Sequence, residues 1–475
     1  MLIKKVVISS FIIAPIFLSA GIKNLTLTHA LEMLDKNNLE LKISHFNEEM
    51  KAYEIKVAKG HNYGKLDATI MGMRSNDPGN VFVFKVQSRE ATFGDFGFSD
   101  FMGAIGQGAQ QANGDFGAFT QGLAQNGDSI LAMQPKDLNH PDARNHFQTK
   151  LAYMLPVYTG GKLTEYARIT TAMYRMSQLD TQKLVNEKVF QTKKAFYDIS
   201  LVSNYIANLS KIIKNIRRLE GIVSTMQKEG YAQNIDLLEV QARKAEADSM
   251  YNQAKLNKDL AYQFLSFLVN QEVSSIHTIK DIAPMPYVDK RTIEDNNIDI
   301  QKALLGLKIT QMALNVEKAN YLPTLGVFAE YGSTDNTLWN DFLGKDYYTF
   351  GFQLQWNLYN GGIDAANLER AKVNYMMVRD QVELAKKGIG LKVKKLQTEI
   401  FSANSDIKNF KKQLQFAQKV YENYRAKYKE GITSISDVLM KQSKQLEVLL
   451  KLLTVKNTRN TKVFELNNIL NNKGW

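Results

Sequence analysis

The 475-residue chain contains no cysteine, which excludes a disulfide-stapled scaffold, a thiolate metal site and a cysteine nucleophile. Proline is scarce: there are 8, at positions 15, 78, 135, 141, 156, 284, 286 and 323, so 157–283 and 324–475 contain none. Proline inside a helix removes a hydrogen bond and clashes with the preceding turn, so these stretches permit very long helices. Long apolar runs are also missing; with 44 % hydrophobic residues and a mean hydropathy of −0.30, the chain is not a polytopic helical membrane protein. Catalytic patterns are equally sparse. Gly160-Gly161-Lys162 has the end of a phosphate loop, but Leu163 follows the lysine and the first glycine of that motif is missing. The histidines at 29, 45, 61, 140, 146 and 277 show no metal-ligand spacing, and no Ser, His and Asp arrangement stands out, so neither enzyme, metal nor cofactor is expected.

What is present begins at the amino end. Residues 1–20 place Lys4 and Lys5 ahead of an apolar run, with Ser19 and Ala20 at its close, the pattern of a secretory signal peptide. A membrane anchor is the alternative, but the run falls short of the ~20 residues that span a bilayer, and Pro15 interrupts it. No cysteine follows it to carry a lipid anchor. Without Lys4 and Lys5 the formal charge falls from +12 to +10, and the remaining basic residues are scattered rather than clustered with aromatics, so no nucleic-acid partner is expected.

The chain also repeats itself. Tyr158-Thr159-Gly160-Gly161 returns as Tyr359-Asn360-Gly361-Gly362, a shift of 201, and Glu229-Gly230 with Asp236-Leu237 returns at the same shift as Glu430-Gly431 with Asp437-Val438. Upstream, Asn37-Asn38-Leu39-Glu40-Leu41 corresponds to Asn296-Asn297-Ile298-Asp299-Ile300 at a shift of 259. The difference between 259 and 201 leaves one insertion of 58 residues in the first half, within 75–145. Rich in Gly, Phe, Gln and Asp and without a clear period, it is expected to be a long loop.

Flanking the insertion, the period becomes two. Phe147, Thr149, Leu151, Tyr153, Leu155 and Val157 alternate with polar or small residues, and so do Phe350, Phe352, Leu354, Trp356 and Leu358. Shorter partners precede them, with Leu66, Ala68 and Ile70 in one half and Leu325, Val327, Ala329 and Tyr331 in the other. An apolar outside over about ten residues, ending in Tyr158, Trp356 and Tyr359, is the pattern of a transmembrane β-barrel strand. The alternation alone also suits a half-buried sheet of a soluble domain; the signal peptide, duplication and aromatic ends favour the barrel. Four strands cannot close in lipid, where no edge stays unpaired, and three chains would supply twelve.

After each Gly-Gly the period becomes helical. Val202, Ile206, Leu209, Ile213 and Ile216 are spaced as a coiled-coil seam, as are Phe410, Leu414, Ala417, Tyr421, Tyr424 and Tyr428, and then Leu439, Gln442, Leu446, Leu449 and Leu453. A helix from Lys162 to about Lys228 would be ~100 Å long. Gly230 and Gly431 mark hairpin turns, and helices run back from about Ile235 and Ile435.

Three sets of residues resemble the TolC-like outer-membrane efflux proteins: Leu25-Thr26-Leu27-Thr28-His29-Ala30-Leu31 with Asn37-Asn38; the two Tyr-x-Gly-Gly motifs; and Tyr428-x-x-Gly431 with Ile435-Ser436-Asp437-Val438-Leu439. The resemblance implies an α+β membrane protein: a trimeric, 12-stranded β-barrel with four strands per chain, continued by a long α-helical coiled-coil barrel. It implies a first repeat at 21–270, an equatorial connector at 271–298 and a second repeat at 299–475. The implied function is the outer-membrane exit duct of a tripartite efflux or type I secretion system. Its partners would be two further copies, a periplasmic adaptor, an inner-membrane pump of RND or ABC type and outer-membrane lipid.

Carried over by motif, Asp437 would take an acidic-ring position at the periplasmic aperture, Asp236 would be the carboxylate of the first hairpin, and Tyr428 the tyrosine that holds the tip closed. Met440 stands where some relatives carry a second acid, with Glu239 as another source of charge, and Thr433 replaces an expected arginine. Gly160, Gly161, Gly361 and Gly362 would form the barrel-to-helix junctions. Asp236 and Asp437 also suit a plainer role as acids at helix N-termini, and both roles are compatible. A surface-exposed structural or adhesive protein displaying the insertion, without transport, is the alternative function.

Overall fold

A computed structural model describes residues 21–289, 293, 295–338 and 341–471; the expected signal peptide, 1–20, lies outside them. The chain divides into two compact units, one taking in the chain up to Ala52, Thr171–Thr310 and Val373 onwards, the other Tyr53–Thr170 and Gln311–Lys372.

The second unit holds an antiparallel sheet in the order β1 (Lys65–Ser75), β2 (Arg144–Tyr158), β3 (Thr324–Asp335) and β4 (Asp346–Gln355). Its register aligns the alternating residues across all four strands. Leu66 pairs with Tyr153 and Ala68 with Leu151; Leu151 pairs with Tyr331 and Tyr153 with Ala329; Ala329 pairs with Phe350 and Val327 with Phe352. One face is therefore largely apolar, with polar residues such as Thr149, Ser333, Asp335 and Asp346 gathered at the end away from Gly160 and Gly361. The other carries Asp67, Thr69, Gln148, Lys150, Glu330 and Thr349, with Lys150 and Glu330 paired across it at 3.3 Å. Strand β4 stops at Gln355, short of the expected Trp356 and Leu358, and the Trp356 indole N–H donates to the Tyr321 carbonyl at 3.1 Å. Among the described residues β1 pairs only with β2, and β4 only with β3, so both edges are open.

At the Gly-Gly motifs all four glycines have positive φ: +64° and +87° at Gly160 and Gly161, +57° and +82° at Gly361 and Gly362. Two successive left-handed residues reverse the chain from strand to helix, and glycine adopts them without steric cost. Gly160 has a further reason, since a Cβ there would lie 2.8 Å from the Ala319 carbonyl oxygen.

The expected loop at 75–145 is instead helical. It folds as α3 (Pro78–Gln87), α4 (Phe98–Gln111), α5 (Phe116–Leu131) and a short α6 (Lys136–Asn139). Asp77 caps α3 by accepting from the Asn80 N–H at 3.0 Å, with Pro78 in the first turn, and Asp115 accepts from the Gly117 and Ala118 N–H groups at 2.8 and 3.2 Å. Such caps satisfy N–H groups that a first helical turn leaves free. His146 is buried in β2 against Phe84.

The first unit is built from α1 (Leu27–Asn37), most of α2 (Leu39–Gly60) and of α7 (Lys162–Lys228), α8 (Asn234–Val269), part of α9 (Ile298–Ala319), most of α10 (Ile363–Lys429), and α11 (Ile435–Ile469). The seam spacing marks real packing: Leu209, Ile213 and Ile216 of α7, Tyr421 and Tyr428 of α10, and Leu439, Leu446 and Leu449 of α11 share one core with Val240 and Ala247 of α8. The connector pairs with the start of the chain, Val273 with Ile22 and Ile276 with Leu25, as short parallel bridges over a second core around Phe196 and Ile199.

The duplication is written in hydrogen bonds. The Asn38 carboxamide donates to the Leu268 carbonyl at 2.8 Å and accepts from the Leu41 N–H at 3.0 Å. The Asn297 carboxamide donates to the Ile469 carbonyl at 2.8 Å and accepts from the Ile300 N–H at 3.0 Å. Both shifts seen in the sequence meet in this pair, since Asn38 and Asn297 are 259 apart and Leu268 and Ile469 are 201 apart.

Candidate functional site

The residues named for an aperture lie where α7 turns into α8 and α10 into α11. Both turns pass through a left-handed glycine, Gly230 at φ +85° and Gly431 at φ +69°, and each returning helix opens on a capping acid. In the first turn the Asp236 carboxylate accepts from the Gln233 N–H at 2.8 Å. In the second, Asp437 accepts from the Ser434 hydroxyl at 2.7 Å and the Thr433 hydroxyl at 3.1 Å, while its own N–H donates to the Ser434 oxygen at 3.1 Å. This is the reciprocal cap that a Ser-x-x-acid spacing makes. Ser434 and then Thr433 hold the Asp437 carboxyl below the usual carboxylate range, so it carries its charge at neutral pH. Thr433, standing in place of the expected arginine, thus fixes Asp437 rather than forming an ion pair.

Glu239 joins the two halves, because the Ser436 hydroxyl donates to its carboxylate at 2.8 Å. Met440, one turn beyond Asp437, is exposed. Tyr428 is buried, and its hydroxyl has no hydrogen-bond partner among the described residues; burial and then the Asp236 charge push it above the ordinary tyrosine value. Along the same core, both polar atoms of the fully buried Gln442 lack partners. An unpaired buried hydroxyl or amide costs about 1–3 kcal/mol, so Tyr428 and Gln442 each weaken this core within one chain. Gln442 is legible in the sequence as a seam residue, whereas neither Ser434 nor the bond made by Ser436 is as plain. The spacing of Ser434 and Asp437 carries a capping signal; the link from Ser436 to Glu239 joins two distant hairpins and no local pattern encodes it.

The sheet forms a second candidate surface. Strand β4 presents Tyr348, Phe350, Phe352 and Leu354 to the outside, Phe350 being 78 % exposed, and β2 presents Leu151 and Tyr153 on the same face. A four-stranded sheet does not leave such rings in water when an apolar medium is within reach. A third unpartnered surface runs along α2, where Leu39, Ile43, Phe46, Met50, Tyr53 and Val57, spaced alternately 4 and 3, are each at least 55 % exposed. Among the described residues, no helix is long and apolar enough to cross a membrane, and no group of three or more His, Asp or Glu is arranged to hold a metal ion.

Residues 291–472 match the sequence profile of the family described as outer membrane efflux protein. No curated protein matches the chain in sequence. The fold is similar to that of the Campylobacter jejuni CmeC outer membrane channel, with a TM-score of 0.74 at 15 % identity over 94 % of this chain and 85 % of that one. It is similar to the outer membrane protein VceC of Vibrio cholerae, with a TM-score of 0.73 at 12 % identity over 94 % and 96 % of the two chains. The open state of the Neisseria gonorrhoeae MtrE outer membrane channel gives a TM-score of 0.71 at 13 % identity over 94 % and 88 %.

Proposed function

From a chain that has the fold of the TolC-like outer-membrane channels, and whose second half matches the outer membrane efflux family, we propose an outer-membrane exit duct of a tripartite efflux or type I secretion system. The observation that carries this function is the sheet: one face largely apolar across all four strands, the other with most of the polar residues, and both edges open among the described residues. In lipid an open edge leaves backbone N–H and C=O groups unsatisfied, so the sheet closes only with other copies of itself, and three copies make twelve strands around a polar lumen. The exposed seam of α2 has the spacing that a helix of a neighbouring copy would fill. With no chemistry of its own for coupling energy, the duct takes its substrate from an inner-membrane pump of RND or ABC type through a periplasmic adaptor. An adhesive role for the insertion is the second reading; α3 is fastened to the sheet, whereas α4 and α5 are not.

The hairpin turns form the periplasmic aperture in this proposal, with Asp437, Asp236 and Glu239 bringing negative charge to a narrow mouth and Tyr428, whose hydroxyl has no partner among the described residues, as the tyrosine at the closed tip. Purified protein would run as a detergent-resistant trimer and conduct ions in a planar bilayer; a monomer without conductance would refute the duct. Asp437→Ala removes one carboxylate from each copy and is expected to raise single-channel conductance or abolish block by multivalent cations. Unchanged current and block would remove Asp437 from the aperture while leaving the duct intact.

A further inference from the structure

The insertion is fastened to one side of the sheet. The Phe84 ring stacks on the His146 ring with centroids 4.2 Å apart, the Thr334 hydroxyl donates to the Gln87 carbonyl at 2.7 Å, and Arg144 donates to the Ser88 hydroxyl at 2.8 Å. Beyond α3, Arg144 and Lys345 both pair with Glu90, and Lys345 also reaches Asp335 at 2.7 Å. His146, Thr334 and Arg144 all belong to the polar face, opposite Leu151, Tyr153 and Phe350. In a barrel whose apolar face meets lipid, that face turns inward, so α3 lies within the lumen. It does so at the end of the strands away from Gly160 and Gly361, which is the outer mouth.

Helices α4 and α5 continue from this anchor with their apolar surface uncovered. Neither contains a buried residue, and Phe98, Met102, Phe116, Leu123 and Leu131 are exposed. Exposed apolar side chains inside a water-filled lumen need a second apolar surface, and a closed barrel brings two identical ones to the same axis. Charge works against their approach only in part: between Glu90 and Lys136 there is no basic residue, but of the acids Asp95, Asp100, Asp115 and Asp128, Asp95 is paired with Lys85. The glycines of α4 and α5 leave the helix surfaces low enough for close packing.

We propose that α4 and α5 of the three copies pack against one another across the lumen and form a cap that closes the outer mouth of the duct. This rests on the trimeric barrel proposed above. The cap is a property of the 75–145 insertion alone, absent from the second half, where only residues 336–345 separate β3 from β4.

The experiment compares the full chain with a variant in which 79–142 is replaced by a short Gly-Ser turn, both in planar bilayers, with trimer formation read separately in detergent. A several-fold rise in conductance of the shortened trimer is expected, and equal conductance of the two trimers overturns the cap. Because the chain has no cysteine, F116C and L131C each place a single thiol on α5, and a short bismaleimide is expected to link copies within the trimer. Should the shortened variant not assemble, absence of linkage at both positions in formed trimers overturns the cap. Failure of the duct itself looks different: the unmodified chain then gives neither trimer nor current.

Discussion

Two asparagines hold equivalent positions in the two halves, and each both caps a helix and holds the carbonyl end of another. Replacing Asn38 or Asn297 with alanine leaves a buried carbonyl and a first-turn N–H without partners, a loss of about 1–3 kcal/mol at either site. Thermal unfolding of the two variants should therefore show similar losses, and a large difference would mean that the halves are not energetically equivalent. Glu90 gives a pH dependence. Burial works to raise its pKa, but the bonds from Lys345 and Arg144 hold it below the ordinary 4.5, while its partner Lys345 is held above its ordinary 10.5. A carboxylate depressed in the folded state contributes stability above its unfolded value and loses it as pH falls through the folded one; the raised lysine contributes below its unfolded value and loses it as pH rises through the folded one. The clamp on the insertion should thus be constant from about pH 5 to pH 10 and loosen in stronger acid, as measured by the rate of proteolytic nicking in 88–143. At this scale the sequence was informative about single side chains and silent about their partners: Asp437 and Asp236 were legible as capping acids, whereas the pairing of Ser436 with Glu239 depends on two hairpins meeting.

Among the elements, α2 makes the strongest demand on a partner. Its seam is as regular as those of α7 and α10, yet theirs are buried within one chain and this one is not. Met50→Glu sets a charge in the middle of that seam without touching the core of the isolated chain, so the variant should keep its helical circular dichroism while losing the trimer in detergent. A trimer that survives the substitution would exclude α2 from the interface between copies. The long helices were legible because the seam spacing and the glycine turns repeat twice, and α7 begins and ends at the expected residues. The insertion was not. Glycines at 103, 106 and 108 in α4 and at 117, 122 and 127 in α5 each cost about 1 kcal/mol of helix propensity relative to alanine, and they blur the apolar period. The caps at Asp77, ahead of Pro78, and at Asp115 were nevertheless present as local signals. What no local pattern encodes is that α3 rests on the polar face of the sheet.

For the molecule as a whole, the two halves of the sequence do not coincide with the two compact units; each half contributes to both. Strands β2 and β3 come from different halves and are paired from Phe147 with Asp335 to Tyr158 with Leu325, a contact as long as the one between β1 and β2 within a half. Separate chains ending at Pro286 and starting at Tyr287, co-expressed with a tag on one, should therefore copurify; recovery of the tagged half alone would show that the connector is needed for pairing. Noncovalent pairing has one weakness. Near-equivalent halves resemble one another at every shared contact, so free halves have six positions around a ring and little to decide which kind sits at each. The peptide link through 271–298 removes that choice. It fixes a one-to-one stoichiometry and strict alternation, so that a half bearing the insertion is always followed by one without it. Three insertions, rather than six or none, then meet at the centre to form the cap, and the number of obstructing hairpins in the mouth is set by covalent connectivity instead of by binding affinity.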